Sequence, residues 1–227
     1  MPPTPIIITL DGWSSCGKST LAKALAKELG YVFVDSGAMY RAVALYFLRK
    51  KVDLSNEQQI QQALAEIELG FVFNPGRGAS DVYLNGENVE PIIRDMSVAE
   101  MVSKVAALSL VRKFAVQQQQ RMGAAKGIVM DGRDIGTVVF PNAELKIFMT
   151  ADQETRVKRR FIELSAKDPS VTIEAVRENL ARRDHMDATR EESPLRQAAD
   201  AKVLDNTDLS PQEQFDLALG WAKEAIR

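Results

Sequence analysis

The sequence predicts an α/β fold in three layers, with helices on a five-stranded parallel sheet. Three observations carry that expectation. Short apolar, β-branched runs recur along the chain, each breaks into polar residues at its C-terminal end, and helical apolar stripes lie between them. The 227 residues, 45% hydrophobic and 26% charged, fit one globular domain with small excursions.

The first run, Ile6-Ile7-Ile8-Thr9-Leu10, ends at Asp11-Gly12 and reads as a buried parallel strand. Leu21, Ala22, Leu25, Ala26 and Leu29 form one helical stripe over 19–29, and Gly30 supplies its C-cap. A second strand over 31–34 ends at Asp35-Ser36-Gly37. Three further strands follow: 127–130 before Asp131-Gly132-Arg133-Asp134, 145–149 before Thr150-Ala151-Asp152, and 202–204 before Asp205-Asn206-Thr207. Residues 67–93 differ. A strand-like run, a Pro/Gly loop at 74–78, and Asn85-Gly86 between β-formers predict a small antiparallel insert. Residues 98–122 read as one helix, with the glutamines at 117–120 on its solvated face.

Composition narrows the function classes. A net charge of -2 argues against a protein that coats nucleic-acid polymers. One cysteine, Cys16, permits no intrachain disulfide, and one histidine, His185, excludes a histidine metal cluster. Neither a signal-peptide pattern nor an apolar run long enough to span a membrane is found, so a cytoplasmic protein without a membrane partner is expected.

Gly12-Trp13-Ser14-Ser15-Cys16-Gly17-Lys18-Ser19 fits G-x-x-x-x-G-K-[ST] between a predicted strand and a predicted helix. Backbone N–H groups of such a loop point inward at phosphate oxygens, and the helix N-terminus adds partial positive charge. Lys18 is expected to bridge the terminal phosphates of a nucleotide, and the Ser19 hydroxyl to ligate Mg²⁺, with Gly12 through Thr20 as the phosphate-binding run. The fold is therefore the P-loop fold. Cys16 reads as a small loop residue or as a redox-sensitive thiol. No N-K-x-D and no LSGGQ follow, which weakens guanine-specific GTPases and ATP-binding-cassette proteins.

Eight of the 16 arginines fall within 154–196, together with nine acidic residues. Composition alone leaves two readings open: helices laced with salt bridges, or guanidinium groups facing phosphate. Three further segments carry arginine where an anion could sit: Asp35-Ser36-Gly37-Ala38-Met39-Tyr40-Arg41, Asp131 to Thr137, and Arg183-Asp184-His185-Met186-Asp187-Ala188-Thr189-Arg190.

With these motifs (P-loop, DSGAxYR, Ser103…Arg112, DGRDxGTVVFP, RDxxDxxR), the chain resembles the bacterial cytidylate kinases over essentially its whole length. These are P-loop nucleoside monophosphate kinases. The resemblance implies MgATP as donor and CMP or dCMP as acceptor. It implies that Arg41, Arg133 and Arg190 clamp the acceptor phosphate, with Ser36 beside them, and that Arg183 and Asp187 contact the ribose. Ser103, Arg112 and Asp134 would read cytosine, whose N4 amine suits a carboxylate acceptor. Arg156, Arg159 and Arg160 would belong to a lid over the donor phosphates, with Lys18, Arg133, Arg160 and Arg190 catalytic.

The implied organisation is a single domain over 1–227, with an acceptor-binding region at 36–104 that includes the insert near 67–93, and a lid at 154–168. Family members of this size are usually monomeric, so the resemblance implies a monomer. Trp13 and Cys16 depart from the family loop, which has Pro or Ala and small residues there. Two other classes stay in view: a kinase for UMP, AMP or a non-nucleotide acceptor, and a P-loop switch or regulatory ATPase.

Overall fold

Strand β1 (Ile7–Gly12) runs up the middle of the sheet into the loop ahead of α1 (Lys18–Leu29). Helix α1 closes at Gly30 in the left-handed region, φ 68. The computed structural model describes residues 4–77, 79–166 and 168–226. β2 (Val32–Asp35) leads into α2 (Ser36–Lys50), whose N-terminus is capped by Asp35 accepting from Ala38 N–H at 3.0 Å. After α3 (Glu57–Ala65), β3 (Leu69–Asn74), β4 (Ala79–Leu84) and β5 (Glu87–Asn88) form a separate antiparallel sheet. Asn85 and Gly86 both have positive φ and join β4 to β5, with Leu84 opposite Glu87, as the Asn-Gly signal requires.

The chain continues through α4 (Met96–Ala106) and α5 (Ser109–Met122) to β6 (Ile128–Gly132) and a π-helical turn, Ile135–Val139. Then come β7 (Leu145–Thr150), α6 (Gln153–Ser165), α7 (Ile173–Thr189), β8 (Lys202–Asp205) and α8 (Pro211–Ile226). The main sheet has the order β2-β6-β1-β7-β8, with every pairing parallel. The α/β class, the five parallel strands and the antiparallel insert agree with the sequence.

The single helix expected over 98–122 is two helices. Leu108 takes an extended conformation between α4 and α5. The break leaves the Ala106 carbonyl without a helical partner, and the Arg112 guanidinium donates to it at 3.3 Å. No Gly or Pro marks the break, so periodicity runs through it. The glutamine run also differs from expectation: Gln119 is buried, and only its neighbours Gln117 and Gln120 are exposed.

The central strands β1, β6 and β7 are buried on both faces. Ile8, Leu10, Leu145, Ile147 and Met149 pack with α1 and α8, whereas Ile128 and Met130 pack with α2, α5 and the insert. Helices α6 and α7 pair around a small core of their own, Val157, Val176 and Leu180. The parallel register places Asp11 opposite Gly132, and Asp131 opposite both Leu10 and Asp35. Three carboxylates thus meet at the carboxyl edge of the sheet.

At that edge β1 passes close to β7. Gly12, φ 146, lies opposite Met149, and a Cβ on it would stand 2.0 Å from the Met149 carbonyl oxygen. Backbone cannot yield as a side chain tip can. Gly12→Ala is therefore expected to cost about 3 kcal/mol or more, read as a lower urea midpoint. An unchanged midpoint contradicts this packing.

Candidate active site

The loop between β1 and α1 folds around its own backbone. Ser15 has φ 62, and Gly17, the residue preceding α1, has φ 84. Buried Lys18 donates from Nζ to the Trp13 carbonyl at 2.6 Å. Burial, with Arg133 nearby, lowers the Lys18 pKa. The Ser19 hydroxyl donates to Asp131 at 2.5 Å, and burial together with Asp35 raises the Asp131 carboxyl. Cys16 is fully buried and its thiol is pushed up, so the helix N-terminus does not activate it; its carbonyl accepts from Asn206 at 2.7 Å.

Asp11 lies beneath this loop. One carboxylate oxygen accepts from Ile135 N–H at 2.8 Å and the other from Gly136 N–H at 2.7 Å. Burial outweighs these bonds and pushes the Asp11 pKa up to about 6. The segment after β6 is thereby tied to β1, and that segment presents Arg133 and Asp134.

Arg133 reaches across the site. It donates through Nε to Asp187 at 2.7 Å, to Ser14 Oγ at 2.9 Å and to the Gly132 carbonyl at 3.2 Å. Arg183 and Arg41 make no ion pair among the described residues. Burial and Arg133 lower Arg183 to about 10, with Arg160 and Arg41 adding to the effect. Burial and Arg94 lower Arg41, with Arg160 adding to it. Arg183 thus lies in the fields of Arg133, Arg160 and Arg41, and Arg41 in those of Arg94 and Arg160, an arrangement that a bound anion stabilises. Arg160 also donates to Glu163 at 2.8 Å.

A second cluster is built on Asp134. Arg112 donates to it at 2.5 Å, with both side chains buried, and Arg190 stands 3.5 Å from its other oxygen. Tyr40 lies 5.7 Å beneath the Arg112 guanidinium, and burial pushes its hydroxyl up to about 12. Arg112 Nε and one terminal nitrogen of Arg190 are buried without a hydrogen-bond partner. Buried donors left open in this way are costly unless a ligand accepts from them. Arg190 also donates to the Ser193 carbonyl at 2.6 Å and lies 3.6 Å from Asp187. Ser36 is buried against Gly132, where a Cβ would meet its Oγ at 2.7 Å. Ser103 stands apart, exposed on α4 without a hydrogen bond among the described residues.

The α6 arginines divide. Arg156 is held by Asp184, by the Ser14 carbonyl at 3.3 Å and by the Ala151 carbonyl at 3.1 Å, with the Trp13 ring 6.0 Å away. Trp13 thus packs toward α6. Arg159 donates to Asn206 at 2.9 and 2.8 Å. It borders a cavity of about 680 Å³ lined also by Gly17, Thr20, Asn206 and Phe215. His185 is exposed near the end of α7.

Four residues of the site gain no role from sequence alone: Asp11, Asp131, Asp184 and Asn206. Asp131 and Asn206 stand at strand ends, which was the available signal. Asp184, which also accepts from Ser14 N–H at 3.4 Å, gave none beyond its place in the RD pair.

Oxygen donors at Ser19 and Asp131 suit a hard cation such as Mg²⁺, which binds through one or two carboxylates plus substrate phosphates. Among the described residues no group of three or more His, Cys, Asp or Glu could hold a metal, so the site does not form a protein-only cage.

Comparison with known proteins agrees with the geometry. The family model described as cytidylate kinase matches residues 8–224. The cytidylate kinase of Flavobacterium johnsoniae is 54% identical over 225 residues, covering 98% of each chain. That of Parabacteroides distasonis is 55% identical over 212 residues, covering 92% of this chain and 93% of its own. That of Bacteroides fragilis is 51% identical over 225 residues, covering 98% of each. A match that runs nearly end to end, with half or more of the residues identical, admits one assignment: the chain belongs to the cytidylate kinase family.

Proposed function

We infer that the protein transfers the γ-phosphoryl group of ATP to the 5′-phosphate of CMP or dCMP, giving ADP and CDP or dCDP. The observation that carries this reading is the buried Asp134–Arg112 pair with open donors on Arg112 and Arg190, in a chain of this family. Cytosine offers an N4 amine that Asp134 accepts, and N3 and O2 acceptors that Arg112 satisfies. Uracil would set an oxygen against the Asp134 carboxylate. A buried mismatch of that kind discriminates strongly.

Arg41, Arg133, Arg183 and Arg190 are proposed for the acceptor, the first two and Arg190 on its phosphate and Arg183 with Asp187 on the ribose. Ser36 lies beside them. Ser103 would join them only if α4 moves inward. Lys18 leaves the Trp13 carbonyl to hold the terminal phosphates. Arg160 reaches the transferring group from α6, whereas Arg156 and Arg159 fix the loop and the β8 end near the donor. The cavity beside Gly17 and Thr20 suits the nucleoside end of ATP. Ser19 and Asp131 would hold Mg²⁺, which would offset charge on the donor phosphates.

A phosphate monoester has its second pKa near ~6, so the acceptor oxygen is already mostly ionised at neutral pH and needs no general base. The protein's work is alignment and charge neutralisation. Water must be excluded, which assigns closure to the acceptor region at 36–104 and to a lid at 154–168, within one domain. Most of the segment proposed as lid lies on α6. No helix among the described residues is long and apolar enough to cross a membrane. We place the reaction in the cytoplasm and the working unit as a monomer, acting on nucleotides without nucleic-acid or membrane partners.

Lys18→Ala or Arg133→Ala is expected to lower turnover about 10²-fold or more with the circular dichroism spectrum intact. Near-parental rates would remove the assigned role. In a panel of CMP, dCMP, UMP and AMP followed by coupled ADP release, CMP and dCMP are expected to lead. A CMP rate no better than that of UMP or AMP contradicts the acceptor, and ADP release without acceptor would favour a switch ATPase. Asp134→Asn is expected to reduce the CMP-over-UMP preference about tenfold or more while ATP binding holds. Unchanged preference removes Asp134 from base recognition.

A further inference from the structure

The turn that carries Asp134 is not capped by Asp134. Asp134 precedes Ile135–Val139 at φ −142, ψ 20, and its side chain makes no capping hydrogen bond. An aspartate in that position ordinarily accepts from the free N–H groups of the first turn. Here those groups are taken from the neighbouring strand: Ile135 N–H and Gly136 N–H each donate to one oxygen of Asp11. Asp11 is 5% exposed. The approach depends on Gly136, where a Cβ would stand 2.8 Å from Thr9 Oγ1 and 3.2 Å from Asp11 Oδ2. With its own turn satisfied from below, Asp134 is left to hold Arg112 at 2.5 Å and face Arg190 at 3.5 Å.

We propose that Asp11 is a positioning residue that sets base specificity. It substitutes for Asp134 as the cap and so keeps the Asp134 carboxylate turned toward the acceptor base. The inference rests on the reading of Asp134 as base reader. Both Asp11 carboxylate oxygens are engaged by the turn, beneath the loop at 12–19. Asp11→Asn keeps the size of the side chain but replaces one acceptor oxygen with an NH₂ group, which confronts a backbone N–H. One turn N–H then needs a new acceptor, and the nearest in sequence is Asp134 itself.

Steady-state kinetics with ATP and either CMP or UMP test this in the full-length protein. For Asp11→Asn the KM for CMP is expected to rise about tenfold or more, and the CMP:UMP ratio of kcat/KM to fall about tenfold or more, with the KM for ATP within about twofold. In Asp11→Asn/Asp134→Asn the ratio is expected to be no lower than in Asp134→Asn alone, because both changes act through one carboxylate. If Asp11→Asn does not fold, Gly136→Ala, which pushes on Asp11 with its carboxylate intact, is expected to give the same loss of selectivity. A parental CMP:UMP ratio in the variant that folds, equal rises in both KM values, or selectivity losses that multiply in the double variant would each overturn the proposal. Should Asp134→Asn itself keep parental selectivity, the base-reader reading fails and the Asp11 role with it. Should Asp134→Asn lose selectivity while the Asp11 and Gly136 variants keep it, only the Asp11 role fails.

Discussion

Arg133 joins the two halves of the site. From the end of β6 it reaches Ser14 in the loop after β1 and Asp187 on α7, so one guanidinium spans the donor loop and the acceptor side. Burial opposes its charge, but Asp187 next to it raises its pKa. Charge-assisted hydrogen bonds of this kind contribute about 1.5–3 kcal/mol each, enough to fix an orientation. The Ser14 contact is to a neutral hydroxyl, and phosphate oxygens are stronger acceptors. The side chain is therefore aimed before substrate arrives, and substrate can take over the contact.

The rest of the pocket shows the converse arrangement, charge held without enough partners. Burial lowers both Arg183 and Arg41, with Arg133, Arg160 and Arg41 adding to the effect on Arg183 and Arg94 and Arg160 to that on Arg41, and Arg112 and Arg190 keep buried donors open. Each feature destabilises the unliganded protein, and each is relieved by an anion or a base edge. The sheet core, buried on both faces by Ile8, Leu10, Ile147 and Met149, supplies the stability that tolerates this strain. On the donor side the charges are already satisfied internally: Lys18 by Trp13, Arg156 by Asp184 and Arg159 by Asn206. On the proposed assignment, closing over ATP would exchange existing contacts, whereas binding the acceptor would mainly fill vacant ones.

Much of this was legible in the sequence because the signals were local. β-branched runs ending in polar residues located all five parallel strands to within two residues, and Asn85-Gly86 located the β4–β5 hairpin. The loop at 12–19 announced its chemistry through spacing alone. What sequence did not show depended on long-range burial. The α4–α5 break carries no Gly or Pro and is stabilised by Arg112, six residues beyond Ala106. The burial of Gln119 follows from what packs on α5. Asp11 read as the polar stop of a strand, because its partners at Ile135 and Gly136 lie more than a hundred residues away. Arginine composition left ion pairing and anion binding both open. The structure pairs Arg177 with Glu154 and leaves Arg183 without an ion pair among the described residues.

The central claim is that arginines from distant stretches of chain converge on phosphates held between the loop at 12–19 and the Asp134 cluster. A crystal structure with adenosine and cytidine joined through a 5′,5′-pentaphosphate tests it most directly. The account requires Arg41, Arg133 and Arg190 to reach the cytidine-side phosphates within about 3.2 Å, with cytosine N4 on Asp134. Guanidinium groups directed to three separate places, or a cytosine ring lodged away from Asp134 and Arg112, would contradict it.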